Sequence, residues 1–290
     1  MSGTKVLHSI FAIAFILACL PGALLAQWPS WPTPNVPKTA DGKPDLNGPA
    51  PRTAWGKPDL SGIWEYVPPP RPKNANRSGA EKPAGGGTGL GPVPFSAIQF
   101  FNIGLTVKGG LPFTPWAAAL RKQRMANNNK DNPDAHCLPL GLTQLHMHPQ
   151  PRKIIQTPDL IVILYEAQGG VRQIFMDGRP LPTDAEPWWY GYSIGHWDGD
   201  TLVVETNGFR DDVWLDVQGS PLTSSGKMTE RFRRPDYGHL QIDVTVEDPK
   251  AYTHPWTVRI DQKIMLNTQL IEFVCQENER DDAHLVGQSK

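Results

Sequence analysis

From Ile154 to Val274 apolar and polar residues alternate in short runs separated by turn-forming residues. A period of two marks a strand with one buried face. The pattern predicts strands at Ile154–Gln156, Leu160–Glu166, Val171–Met176, Tyr190–Trp197, Thr201–Thr206, Met228–Arg234, Leu240–Glu247, Trp256–Met265 and Gln269–Val274. An earlier aromatic stretch, Ile63–Val67, predicts the first strand of the same domain. The connectors Thr157-Pro-Asp159, Gln168-Gly-Gly170, Asp198-Gly199, Pro235–Gly238 and Leu266–Thr268 are short, so the strands they join are antiparallel neighbours. The expected fold class is all-β: an antiparallel meander, closed or nearly closed into a barrel, which removes exposed edges.

The densest stretch is Ser193–Thr206, which reads as a β-hairpin turning at Asp198-Gly199. With those two residues as the loop, Tyr192, Ile194, His196, Thr201, Val203 and Glu205 share one face, with His196 opposite Thr201 and Tyr192 opposite Glu205. A three-residue loop would change this register.

One helix is expected at Trp116–Ala126, with Thr114 as N-cap, Pro115 at the first helical position and Arg121, Lys122 and Arg124 toward the C-terminal half. Much of the Pro and Gly content falls before residue 115. Within it, Asp41-Gly-Lys-Pro-Asp-Leu-Asn-Gly48 is repeated as Trp55-Gly-Lys-Pro-Asp-Leu-Ser-Gly62, each copy too short to be a domain and suited to a surface strap or a linker. The expected organisation is an export signal over 1–26, a Pro-rich strap or linker over 27–60, one β-barrel-like domain over 61–278 with a long mobile loop at 68–112 and a helix near 115–127, and a polar tail over 279–290.

Lys5 followed by the apolar run Ile10–Leu20, with Ala-Leu-Leu-Ala at Ala23–Ala26, matches an export signal too short for a membrane span. Ile16-Leu17-Ala18-Cys19 offers a second reading, a lipoprotein processing site with Cys19 lipidated. The protein is therefore expected in the periplasm or the medium, or at the outer membrane as a lipoprotein, with membrane contact only if Cys19 is lipidated. Cys137 and Cys275 remain, and in an oxidising compartment two cysteines pair more often than not. A formal net charge of -1 provides no electrostatic basis for binding nucleic acid.

Candidate chemistry falls into several groups. Asp134, His136, Cys137, His146 and His148 are potential metal ligands, but no second well-spaced ligand pair follows and no metal is assigned. Gly85-Gly86-Gly87 lacks the strand and Lys-Ser/Thr of a phosphate loop, and no cofactor is expected. Tyr192, His196 and Glu205 on the hairpin face could perform acid/base work if that face lines a pocket. Arg172, Asp177 and Arg179 suit structural ion pairs or an anion clamp. Asp211, Asp212, Trp214 and Asp216 form an acidic, aromatic loop compatible with sugar chemistry, depending on carboxylate separation. No Gly-x-Ser-x-Gly elbow is present.

Gly62-Ile63-Trp64 resembles the Gly-x-Trp of the first strand in lipocalin-type barrels, where the Trp closes one barrel end. The ordered set Pro-Asp-Leu-Ser-Gly-Ile-Trp64, Cys137-Leu-Pro, Gln156-Thr-Pro, Arg172–Arg179, Ser193–Thr206, Glu230–Arg234 and Cys275-Gln-Glu-Asn278 resembles a large family of uncharacterised exported bacterial proteins. That resemblance implies a secreted, β-rich, lipocalin-like architecture and carries no catalytic residue. The leading expectation is a barrel that binds a small, partly apolar ligand, with Tyr192, His196, Glu205, Trp214, Asp216 and Arg172 as ligand-binding candidates. The alternative is an extracytoplasmic acid/base enzyme (lyase, isomerase or hydrolase) using His196 with Glu205 or the Asp211–Asp216 loop. A third reading is an envelope protein whose straps contact a partner.

Overall fold

The computed structural model describes residues 31–69 and 99–275. The signal segment with Cys19, Gly85–Gly87 and the tail 279–290 lie outside them. Nine strands close a barrel: β1 (Gly62–Val67), β2 (Arg152–Gln156), β3 (Leu160–Tyr165), β4 (Val171–Phe175), β5 (Tyr192–Asp198), β6 (Thr201–Asn207), β9 (Lys227–Arg233), β10 (His239–Glu247) and β11 (Trp256–Met265), in the order β1-β11-β10-β9-β6-β5-β4-β3-β2. Two further short strands, β7 (Val213–Trp214) and β8 (Pro221–Leu222), pair outside it and carry too few residues to show a period.

The all-β barrel expectation holds, with three corrections. β4 and β5 run parallel, because residues 176–191 carry the chain back along the barrel wall instead of turning tightly. Gln269–Val274 is not a strand: β1 already occupies the free side of β11, so the barrel offers no edge to pair with. The hairpin turns at Gly199-Asp200, with Asp198 opposite Thr201 and His196 opposite Val203. Gly199 at φ +59° takes the left-handed first position of a turn that follows the strand twist. Moving the turn by one residue shifts partners by two, so the six side chains expected on one face still share it. That face points outward, with His196 and Glu205 exposed.

Local rules account for the helices. α1 (Pro115–Ala126) starts where predicted, Thr114 Oγ1 accepting from Ala117 N at 3.3 Å. α2 (Leu142–Met147) is a short, wholly buried helix in the stretch that carries the potential metal ligands His146 and His148. Its entry residue, Gly141, has no room for a side chain, since a Cβ there would overlap the Trp214 carbonyl oxygen.

The two Pro-rich repeats fold as matching straps: Thr39 N donates to Lys43 O and Asp45 N to Pro37 O, and fourteen residues on Thr53 N donates to Lys57 O and Asp59 N to Pro51 O, each at 2.8–2.9 Å. The first docks on the β9–β10 turn through Gly238 N to Leu46 O at 2.7 Å. The second pins the β5–β6 hairpin through Arg52 Nη1 to Asp200 Oδ1 at 3.1 Å. It also leads into Trp64, which is fully buried at the barrel end, donates to Leu60 O and lies under Arg234 at 4.9 Å. The loop expected at 68–112 is docked where it is described: Gln99 is buried and bonded to Tyr66 and Arg259 O, and Ile103 N donates to the Asp216 carboxylate.

Candidate functional site

The lower barrel is apolar, with Leu202 opposite Phe232 and Ile161 opposite Ile174. Burying a side chain such as Phe232 stabilises the fold by about 1.5–3 kcal/mol. Above it the interior turns polar. Arg152 (β2), Tyr165 (β3), Arg172 (β4), Ser193 (β5), Thr206 (β6), Glu230 (β9) and Gln262 (β11) all occupy inward positions and are buried, and α2 adds His146 from the barrel mouth.

Glu230 is the hub. Arg172 grips it with two hydrogen bonds, Nη1 to Oε1 at 3.0 Å and Nη2 to Oε2, and Nη2 also donates to Thr206 Oγ1 at 3.0 Å. Arg172 Nε donates to Ser193 Oγ at 3.2 Å. His146 Nε2 bonds Glu230 Oε1 at 2.8 Å. Burial alone would push the Glu230 carboxyl up, but the Arg172 charge and the His146 hydrogen bond outweigh it and hold the group at about 2. Burial holds His146 below its ordinary value despite Glu230, and takes His148 down to about 4.

A carboxylate fixing one imidazole nitrogen, with the other (His146 Nδ1) bonded to no described group, is the arrangement of a general base. At 1% exposure, however, His146 is sealed from solvent, and the pair ties α2 to β9. Arg152 completes the tie by donating to the carbonyls of His146, His148 and Gln150 around the C-terminal end of α2. Burial lowers its pKa to about 10, so it stays charged at neutral pH.

Stability is expected to fall as the solution is acidified. The unfolded chain binds protons at His146 and His148 below 6.5 that the folded chain refuses, so their contribution is complete above 6.5 and lost below it. The Glu230 contribution is complete above 4.5 and lost as pH falls toward about 2. Asp216, raised by burial, opposes this trend in part. Thermal melting from about pH 8 to about pH 3 checks it, and a Tm that is flat or rising between about pH 7 and pH 5 would contradict it.

A cleft of about 320 Å³ opens on the capped end of the barrel, between α1, the turn Pro133–His136 and the loops bearing Trp189, Asp212 and Trp214. Trp214 is nearly buried, and Arg124 lies over its ring at 4.3 Å. Arg124 Nη1 donates to Gly219 O at 2.9 Å, and the Arg124 side chain packs against Gly219, where a Cβ would crowd its Cδ. Half-buried Trp189 forms another wall, backed by Arg210 at 4.6 Å. Leu120, Pro133 and Leu138 complete the apolar lining.

The expected site residues scatter. Of the ligand-binding set, Trp214 alone lines the cleft, and Arg172 lies in the buried belt. Tyr192, His196 and Glu205 are on the outer barrel wall, where Tyr192 stacks on Phe175 at 5.2 Å. Asp216 is fully buried, accepting from Ile103 N, Ser220 N and Ser220 Oγ, so it builds the loop. Asp211 accepts from Ser224, and Asp212 accepts two hydrogen bonds from Arg210. Asp177 and Arg179 form the expected structural ion pair, and Arg179 also donates to Tyr192. His146 and His148 diverge, the latter packing edge-on against Phe100. Among the described residues no three of His, Cys, Asp and Glu are placed to hold a metal. Cys137 and Cys275 form the expected disulfide.

The buried belt has a sequence signal. Several members are polar residues in the apolar phase of a strand, as Glu230 is between Met228 and Phe232 and Gln262 between Ile260 and Ile264. The cleft has none, since its walls come from segments far apart in the chain. Comparison with protein-family models, curated proteins and solved structures finds no match, so the site is read from its own geometry.

Proposed function

We propose that this protein is an exported, lipocalin-like barrel that binds a small, partly apolar ligand in the cleft at its capped end. The observation carrying this reading is the cleft itself: about 320 Å³, with two tryptophans and three aliphatic residues on its walls among polar side chains that include one positioned guanidinium. Small-molecule sites combine an apolar lining with a few placed polar groups in this way. The barrel interior is less suited, being filled by Trp64, Phe232, Arg152 and Arg172. Export is supported by the disulfide, a bond that persists in oxidising compartments.

The test is titration with the neutral apolar dye N-phenyl-1-naphthylamine, read by its fluorescence and by the indole N–H resonances of Trp189 and Trp214, assigned through single Trp→Phe variants. Saturable binding that shifts both resonances is expected, and Trp189→Ala is expected to weaken it about ten-fold, the equivalent of about 1.4 kcal/mol. Binding that leaves both resonances in place, or no saturable binding, overturns the assignment.

A further inference from the structure

The wall of the cleft carries a guanidinium whose position is set before any ligand arrives. The aliphatic stem of Arg124 is held against Gly219, which sits at φ +84° and leaves no room for a side chain beside Arg124 Cδ. Its guanidinium carbon lies 4.3 Å above the Trp214 ring, and Nη1 is committed to Gly219 O. Among the described residues no acceptor is bonded to Nε or Nη2 and no carboxylate forms an ion pair with Arg124. Asp212, the nearest acidic wall residue in the loop, is taken by Arg210 through two hydrogen bonds at 2.9 and 2.8 Å. Asp131 stands exposed on the rim.

The Nε–Nη2 edge of a guanidinium is a planar two-donor fork that matches the two oxygens of a carboxylate, and a partly desolvated, preorganised fork loses little entropy on forming both bonds. The apolar walls beside it, Trp189, Leu120 and Leu138, suit a flat hydrocarbon body. Burial draws the Arg124 pKa down to about 10, which leaves it cationic at neutral pH.

We infer that the ligand of this cleft is a planar, aromatic carboxylic acid, its ring held by the Trp189 side and its carboxylate received on the Nε–Nη2 edge of Arg124. The inference rests on the cleft being the ligand site and adds the chemical class and the residue that reads it.

The experiment compares three probes of one shape on the full mature protein: 2-naphthoate, 2-naphthamide and 2-naphthylmethylamine. Affinity is measured by calorimetry and location by the Trp189 and Trp214 indole resonances. The acid is expected to bind at least ten-fold tighter than the amide, a charge-assisted bidentate contact replacing a neutral one. In Arg124→Gln that ratio is expected to fall to about one, and in Arg124→Lys to an intermediate value, because a point charge lacks the fork. Melting curves establish that each variant is folded, and the acid-to-amide ratio in the unsubstituted protein tests the inference even if neither variant folds.

An amide that binds as tightly as the acid while shifting both indoles overturns the carboxylate inference and leaves the cleft reading standing. An amine that binds tightest overturns it too, making Asp131 the reader, which Asp131→Asn would then abolish. If no probe moves either indole, the cleft reading fails and takes the inference with it.

Discussion

Glu230→Ala is expected to cost about 3–5 kcal/mol of folding stability, among the largest losses any single substitution in this chain would cause. Glu230 and Arg172 have side-chain exposures of 0% and 1%, so removing the carboxylate leaves a guanidinium in the barrel with no counter-charge and two fewer acceptors. His146 loses its anchor in the same step, which loosens α2 where it caps the interior. Urea unfolding measures the effect as a fall in the midpoint. The paired replacement Arg172→Met with Glu230→Leu provides the control: removing both charges is expected to recover most of the loss, since apolar groups of similar volume avoid desolvating two ions. If Glu230→Ala costs less than about 1 kcal/mol, the belt is not the buried ion-pair network described above.

The second large effect concerns the cross-link between Cys137 and Cys275. Replacing Cys137 and Cys275 together by Ser is expected to cost about 2–5 kcal/mol, because the bond closes a long loop and removes conformations from the unfolded chain. The two residues are 138 positions apart with Cα atoms 5.6 Å apart. Among the described residues beyond β11 no strand ladder holds the chain, and its ties are this bond, the reciprocal pair Asn267 N to Thr33 Oγ1 at 2.8 Å and Thr33 N to Asn267 Oδ1 at 3.0 Å, Ile271 N to Glu166 Oε2 at 3.0 Å and Lys153 Nζ to Gln269 Oε1 at 2.9 Å. Cys137 also follows the turn that carries His136 into the cleft wall. The reduced protein is therefore expected to melt lower and to bind naphthalene probes more weakly. A melting temperature unchanged by reductant would show that the C-terminal segment adds nothing to the folded state.

The strands were legible because alternation survives wherever one face is buried, and α1 because a capping threonine, a proline and an alanine-rich turn coincide. The errors have equally local causes. Gln269–Val274 is rich in residues that favour strands, yet pairing requires a free edge, and the closing of β1 on β11 removes it. The Asp198-Gly199 turn was displaced by one residue because Asp-Gly and Gly-Asp both supply a glycine for the left-handed position. α2 went unread because six residues entirely inside the protein show no amphipathic period.

His196 and Glu205 drew notice as neighbouring functional groups, but alternation assigns residues to a common face without saying which face is inside. That orientation depends on which of two faces has the larger apolar complement once nine strands close. Gly195, Leu202, Val204 and Thr206 turned inward, and the conspicuous polar side chains turned out. Neighbours within a few residues determined the strand pattern, the helix α1 and the repeated straps, while the pairing of the two remaining cysteines was favoured by their number and by an oxidising compartment. Only the tertiary structure decided the polar belt around Glu230 and the cleft where Arg124 meets Trp214, because each is assembled from residues whose proximity is set by barrel closure, which no local period encodes.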